Sequence, residues 1–263
     1  MKKTILTLFC ALTFAAGASA QDDDLGLAFE NDDDESGVSF YGGFDLTSAY
    51  VWRGTLLVKG ANFQPYIEFD AGPFAIGAWN CTDFHGKLKE LDLYTSISAG
   101  PVTFSVTDYF SVEDTYADYP KYSNYKKDET AHTLEFSVDC AFDFGLDASM
   151  NVLLYGADKK YWLEGIDDDK AAKNAYGTYF ELGYTATVKN VDFRTFVGTV
   201  FNQSTWYGDG TGTHKGVNVV NLGVKATKEI KITEHFALPV YACFGYNPQA
   251  DDVAAFAGFT IGF

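Results

Sequence analysis

From about Ser39 to Phe263 the chain alternates apolar and polar residues in segments of roughly ten, with turn residues between them. Period-two alternation marks strands whose two faces meet unlike surroundings. Twelve strands are predicted, near 39–53, 63–71, 73–82, 89–99, 101–112, 131–142, 146–156, 177–188, 191–203, 216–228, 235–247 and 252–263. In the last, Val253, Ala255, Ala257, Phe259, Ile261 and Phe263 share a face, opposite Gly258, Thr260 and Gly262. Leu134, Phe136, Val138, Cys140 and Phe142 likewise oppose Thr133, Glu135, Ser137 and Asp139.

The connections sort by length. Short ones are Ala71–Pro73, Ala99–Pro101, Asp143–Gly145 and Lys189–Asn190. Between them fall mostly longer ones: Gly54–Asn62, Phe84–Leu88, Glu113–Thr130, Asp158–Tyr176, Ser204–Lys215 and Asn247–Asp251. Glu229–Glu234 takes a short-turn position without being short. Outer-membrane barrels have this asymmetry, with short periplasmic turns and longer outer loops. A soluble sandwich would hide the apolar face, whereas a membrane barrel turns it outward and keeps its lumen polar. The fold expected is all-β: a transmembrane antiparallel up-and-down β-barrel of about 12 strands over residues 38–263, both termini periplasmic.

The chain's beginning adds export to that picture. Lys2 and Lys3, an apolar run from Ile5 to about Gly17, and Ala18-Ser19-Ala20 read as a signal peptide over residues 1–20. Residues 21–37 are expected to form an acidic, flexible periplasmic tail, since half of the sixteen residues from Gln21 to Ser36 are Asp or Glu. Without the two signal lysines the chain carries 17 Lys+Arg against 36 Asp+Glu, a formal charge of −19. That balance disfavours nucleic acid. Cys81, Cys140 and Cys243 are too few and too spread for a disulfide framework or a metal pattern, so no metal and no cofactor is expected.

The stretch "AYVWRG", followed by "FQPYIEFDAGPFAIGAWN", resembles outer-membrane porins of the TorF type and related barrels. The matching elements are Ser48, Tyr50, Trp52, Arg53 and Gly54, then Gln64-Pro65, then Trp79. The resemblance is clear over residues 40–82. Beyond these it rests on strand rhythm and the terminal Phe263, which resembles the assembly signal of outer-membrane barrels. It implies a β-barrel pore in the outer membrane, in contact with its lipid and with the barrel-assembly machinery through the last strand. It does not imply a particular solute.

Parity assigns the lumen side chains. Asp45, Glu68, Asp92, Glu135, Asp139, Asp147, Glu181 and Asp192 face three cations, Arg53, Arg194 and Lys225, a balance of −5. Charge of this sign favours cations. The expected function is a porin-like passive channel for small polar solutes with an acidic, mildly cation-favouring lumen. The same charges would alternatively pair with one another and stiffen the wall. Strand one is expected to carry Tyr50 and Trp52 outward at the outer lipid interface, where amphipathic rings are favoured. Arg53 then stands at the barrel seam, near Asp251 or Asp252, or beside Gln64 or Glu68. Asp108 breaks the pattern by sharing parity with Val102, Phe104 and Val106.

Two other classes compete. A lipid-modifying barrel enzyme needs a nucleophile and a histidine on the outer wall; of His85, His132, His214 and His235, only His132 has suitable parity and position. No Gly-x-Ser-x-Gly motif accompanies it. A structural or adhesion barrel would work through loops Glu113–Thr130 and Asp158–Tyr176, of which the first is rich in tyrosine and charge.

Overall fold

A computed structural model describes residues 37–113, 120–127, 129–158, 174–202, 204, 206–207, 216–234 and 236–263. The expected signal peptide and nearly all of the acidic tail lie outside these residues. Among the described residues fourteen strands form: β1 Val38–Thr47, β2 Tyr50–Trp52, β3 Thr55–Val58, β4 Asn62–Ala71, β5 Phe74–Asp83, β6 Leu88–Ala99, β7 Val102–Glu113, β8 His132–Ala141, β9 Leu146–Gly156, β10 Thr178–Val188, β11 Val191–Val200, β12 Asn218–Lys231, β13 Ala237–Asn247 and β14 Asp252–Gly262. Twelve close into one antiparallel barrel in chain order, β14 pairing with β1. The other two, β2 and β3, make a separate hairpin.

The barrel is inside-out relative to a soluble protein. Phe40, Ile67, Phe69, Ile76, Leu93, Phe104, Met150, Tyr184 and Phe244 are exposed on its outer wall. Glu68, Asp92, Ser105, Thr107, Glu135, Asp147, Asn151, Glu181 and Arg194 are buried within it. Lipid replaces water on such a wall, and closure leaves no strand edge unpaired. Apart from residues 48–53, the alternation read from the sequence therefore separates the wall's outer face from its inner one.

Turn chemistry separates the ends. At one end Gly72 and Gly100 take positive φ in two-residue links, each followed by proline, and Lys189 and Asn190 both do so in a third two-residue turn. Tight hairpins between right-twisted strands need such angles. The six longer connections lie at the other end. The turn after β12 spans residues 232–236, because β12 runs three residues further than its periodicity suggested.

Strand one is the main departure. It ends at Thr47 rather than near 53. The chain then leaves the wall and returns into the lumen as β2–β3, so Tyr50 and Trp52 do not face lipid. They are 2 % and 3 % exposed, packed inside the barrel.

A charge placed at mid-height on the outer wall tests the inversion. Leu93→Lys is expected to destabilise the barrel by about 2–4 kcal/mol. Urea unfolding of vesicle-inserted protein measures it, and an unchanged midpoint would mean that Leu93 does not meet lipid.

Candidate functional site

The site is the lumen and the hairpin inside it. β2 and β3 pair through Trp52 and Thr55, with Arg53 and Gly54 as the two turn residues. Both have positive φ, +47° and +84°. Glycine is free there, and a Cβ on Gly54 would stand 2.0 Å from the Val220 carbonyl oxygen of β12. The tip is thus pressed against β12 and β13, where Asn247 Nδ2 of β13 donates to the Gly54 carbonyl at 3.1 Å. A left-handed arginine costs on the order of 1 kcal/mol, so its side chain must be held.

It is held by Glu135 of β8. Arg53 Nη1 donates to Glu135 Oε2 at 2.5 Å, and Nη2 donates to Oε1 at 2.8 Å. The fork matches the carboxylate in planar, bidentate fashion. Nη1 also donates to the Tyr207 hydroxyl at 2.8 Å. Glu135 accepts further bonds from Tyr109 at 2.9 Å and Ser137 at 3.1 Å. The guanidinium lies over the rings of Trp52 and Tyr179, at 4.6 and 5.0 Å from their centroids. Trp52 stacks on Tyr207 and Tyr207 on Tyr179, with centroids 5.2 and 5.5 Å apart. Tyr50 packs on Trp79 of β5 at 5.6 Å. The barrel so acquires an aromatic core at its long-loop end, which Leu153, Val200 and Val220 complete.

A second ion cluster sits beside it. Arg194 of β11 donates to Asp147 of β9 through Nη2 at 2.5 Å and Nε at 3.1 Å, and to Glu181 of β10 at 2.9 Å. Asn221 donates to Glu181 at 2.9 Å, and the Tyr179 hydroxyl bonds the same carboxylate. Gly183 makes room, since a Cβ there would fall 2.5 Å from Asp147 and 2.6 Å from Arg194.

Of the expected lumen residues, Glu135, Asp147, Glu181 and Arg194 are brought together with Arg53 in these two clusters. Asp45 accepts from Thr260 at 2.6 Å, and Asp192 from Thr187 at 2.6 Å. Lys225 stands over the Tyr241 ring at 4.5 Å. One oxygen each of Glu68 and Asp139, and both of Asp92, find no partner among the described residues.

The barrel-closure pair proposed for Arg53 is not formed. Asp251 accepts from Tyr246 at 3.0 Å, Asp252 from the Val253 amide at 2.9 Å, and Gln64 donates to Asn62 at 2.7 Å. The inward turn after Thr47 carries Arg53 off the rim and into the lumen, where a buried carboxylate outcompetes exposed ones. The seam is closed instead by backbone pairing from Gly43–Gly262 to Thr47–Gly258.

Sequence reasoning missed Tyr207 and Trp206, which reach the core from the loop after β11 and carry no periodic signal. It also missed Glu90, which shares the inward parity of Asp92. Tyr109 and Tyr179 could have been found, since both share parity with neighbouring lumen residues.

On the outer wall His132 meets Asp108, which explains the parity exception. His132 Nδ1 is 2.9 Å from Asp108 Oδ1, and Nε2 is 2.5 Å from the Tyr122 carbonyl. Tyr125 stacks on the imidazole at 3.9 Å and donates to Asp108 at 2.6 Å. Burial, then the Asp108 carboxylate, raises the Tyr125 phenol above its usual range, so it stays a donor. The group ties residues 120–127 to the wall. His85 bonds Asp83 at 3.2 Å and is exposed; His214 and His235 lie outside the described residues.

No family model and no curated protein matches the chain. Solved structures with a similar course include the KdgM porin, at 8 % identity over 84 % of this chain and 96 % of that one, TM-score 0.40. Outer membrane phospholipase A from Escherichia coli is similar at 8 % identity over 90 % and 96 %, TM-score 0.39. A variant of the Rh. blastica porin is similar at 10 % identity, covering 77 % of this chain and 55 % of that one, TM-score 0.37. The chain thus spans about half of that porin. Likeness this distant carries no activity from one chain to another.

Glu135→Gln is expected to leave Arg53 charged, buried and unpaired, at a cost of about 3–5 kcal/mol. Replacing both partners, as Arg53→Met with Glu135→Leu, should recover most of that loss. Unfolding midpoints of the parent and the two variants decide it; equal losses in the single and double variants would show that the pair is not what holds the hairpin.

Proposed function

We propose that this chain is an outer-membrane barrel that passes small polar solutes through an acidic lumen, its bore set by the β2–β3 hairpin. The observation that carries this reading is the hairpin's attachment. A polar lumen is crossed at its long-loop end by a segment tied to β8 through the Arg53 side chain and to β13 through the Gly54 carbonyl, with no disulfide among the described residues to lock it. A stretch of Ser96, Thr103, Ser105, Thr107 and Ser137 lines the wall below it. Carboxylates outnumber bases along that wall, which supports a preference for cations over anions. Contact with the barrel-assembly machinery through β14 and Phe263 belongs to the same reading.

A lipid-modifying enzyme is the weaker reading. His132 has its carboxylate, but the nitrogen a nucleophile would need is already bonded to the Tyr122 carbonyl.

Planar bilayers test the proposal. The intact protein is expected to give small conductance steps with a reversal potential on the cation side. Replacing residues 49–59 by a short Gly-Ser link should enlarge the steps several-fold, and Glu68→Gln with Asp139→Asn should weaken the cation preference. If neither the intact nor the hairpin-less protein conducts above lipid alone, the channel reading is lost.

A further inference from the structure

The lumen charges are not spread evenly. The three lumen bases lie against β8–β13, Arg53 on Glu135, Arg194 on Asp147 and Glu181, and Lys225 over Tyr241. The opposite wall, β4–β7, turns Glu68, Glu90 and Asp92 inward. It has no lysine or arginine on its lumen face, Lys89 being on the outer one.

Within that wall Asp92 is 1 % exposed, and neither of its carboxylate oxygens has a hydrogen-bond partner among the described residues. Glu90, two residues away on the same face, is 4 % exposed with Oε2 unpartnered. Strand register sets Trp79 opposite Asp92 and Cys81 opposite Glu90 on β5, with Tyr109 and Ser111 opposite them on β7. The hairpin covers this ground, since Tyr50 packs on Trp79. Trp79 Nε1 is buried without a partner among the described residues as well, and the Tyr50 hydroxyl faces the Glu90 carboxylate. Acceptors and donors are thus gathered in one place, and both Asp92 oxygens and the Trp79 N–H remain unsatisfied among the described residues.

A carboxylate cut off from water and from donors is strongly disfavoured unless a cation or a proton joins it. A directly chelated metal ion would use more protein ligands than these. Among the described residues no group of three or more His, Cys, Asp and Glu could hold one. An ammonium group suits the place better. Its N–H donors serve carboxylates, and ring faces attract its charge and cover its methylenes. An oxygen on the same molecule would accept from the Trp79 N–H.

We propose that Glu90 and Asp92 form a binding site, beneath the β2–β3 hairpin, for a small organic cation bearing a primary ammonium and a hydrogen-bond acceptor. The site stands whether or not the lumen conducts, so its test reads binding rather than current.

The probe is protonated ethanolamine, titrated calorimetrically into the purified full chain in detergent, with tetramethylammonium and calcium chloride as separate arms. Ethanolamine is expected to bind with saturation, and tetramethylammonium, which has no N–H, is not. Asp92→Asn and Glu90→Gln should each weaken ethanolamine about tenfold or more, the loss of one charge-assisted bond. Heat-modifiable gel migration shows that each variant still forms the barrel, and either variant alone suffices. No ethanolamine binding to the parent protein overturns the proposal. So does unchanged affinity in folded variants, or saturable calcium binding without ethanolamine binding.

Discussion

The hairpin inside this barrel depends on one buried ion pair. Arg53 sits in a backbone conformation that an arginine does not choose, at the tip of a hairpin of seven paired or nearly paired residues. A two-stranded hairpin is marginal by itself. What holds it is Glu135 on the other side of the lumen, oriented in turn by Tyr109 and Ser137. The stacked rings of Trp52, Tyr207 and Tyr179 then exclude water from the pair, which strengthens it electrostatically. Remove the carboxylate, and the turn strain, the buried charge and the ring stack all lose their compensation together.

The barrel was legible in the sequence because each strand carries its two environments in alternate positions. Val253, Ala255 and Phe259 against Gly258 and Thr260 need no tertiary information to sort. The hairpin was not legible, for a specific reason. "SAYVWRG" continues the alternation of β1 without a break in pattern, so Tyr50 and Trp52 keep the parity of an outward residue while lying inside. An aromatic pair near a strand end fits a lipid interface and a buried lumen core equally well. Only the pairing partners distinguish them, and Tyr207, Glu135 and Val220 are far away in the chain. The lumen carboxylates could be assigned by parity; which of them would be neutralised by Arg53 could not.

Volume is managed as closely as charge. The long-loop end of this barrel is filled by side chains, and its aromatics need space on neighbouring strands. Gly198 supplies it for Tyr179, whose hydroxyl would lie 2.0 Å from a Cβ there; Gly223 does the same for Phe196. These glycines stand at inward positions where the period-two pattern shows only a small residue. They read as weak strand formers in the sequence and act as seats for rings in the fold.

The seam between β1 and β14 has a consequence for how the molecule comes to exist. Asp45 and Thr260, bonded at 2.6 Å, are 215 positions apart, and Gly42 exchanges backbone bonds with Phe263. Hairpins elsewhere in the wall join neighbours and can form locally. This ladder can form only after the intervening ten strands are aligned, and loop-closure entropy makes such distant contacts slow. Until that moment two edges of the sheet remain unpaired, each a template for another chain. Closure is therefore the late, all-or-none step, and the interval before it is when the chain is most exposed to misassembly.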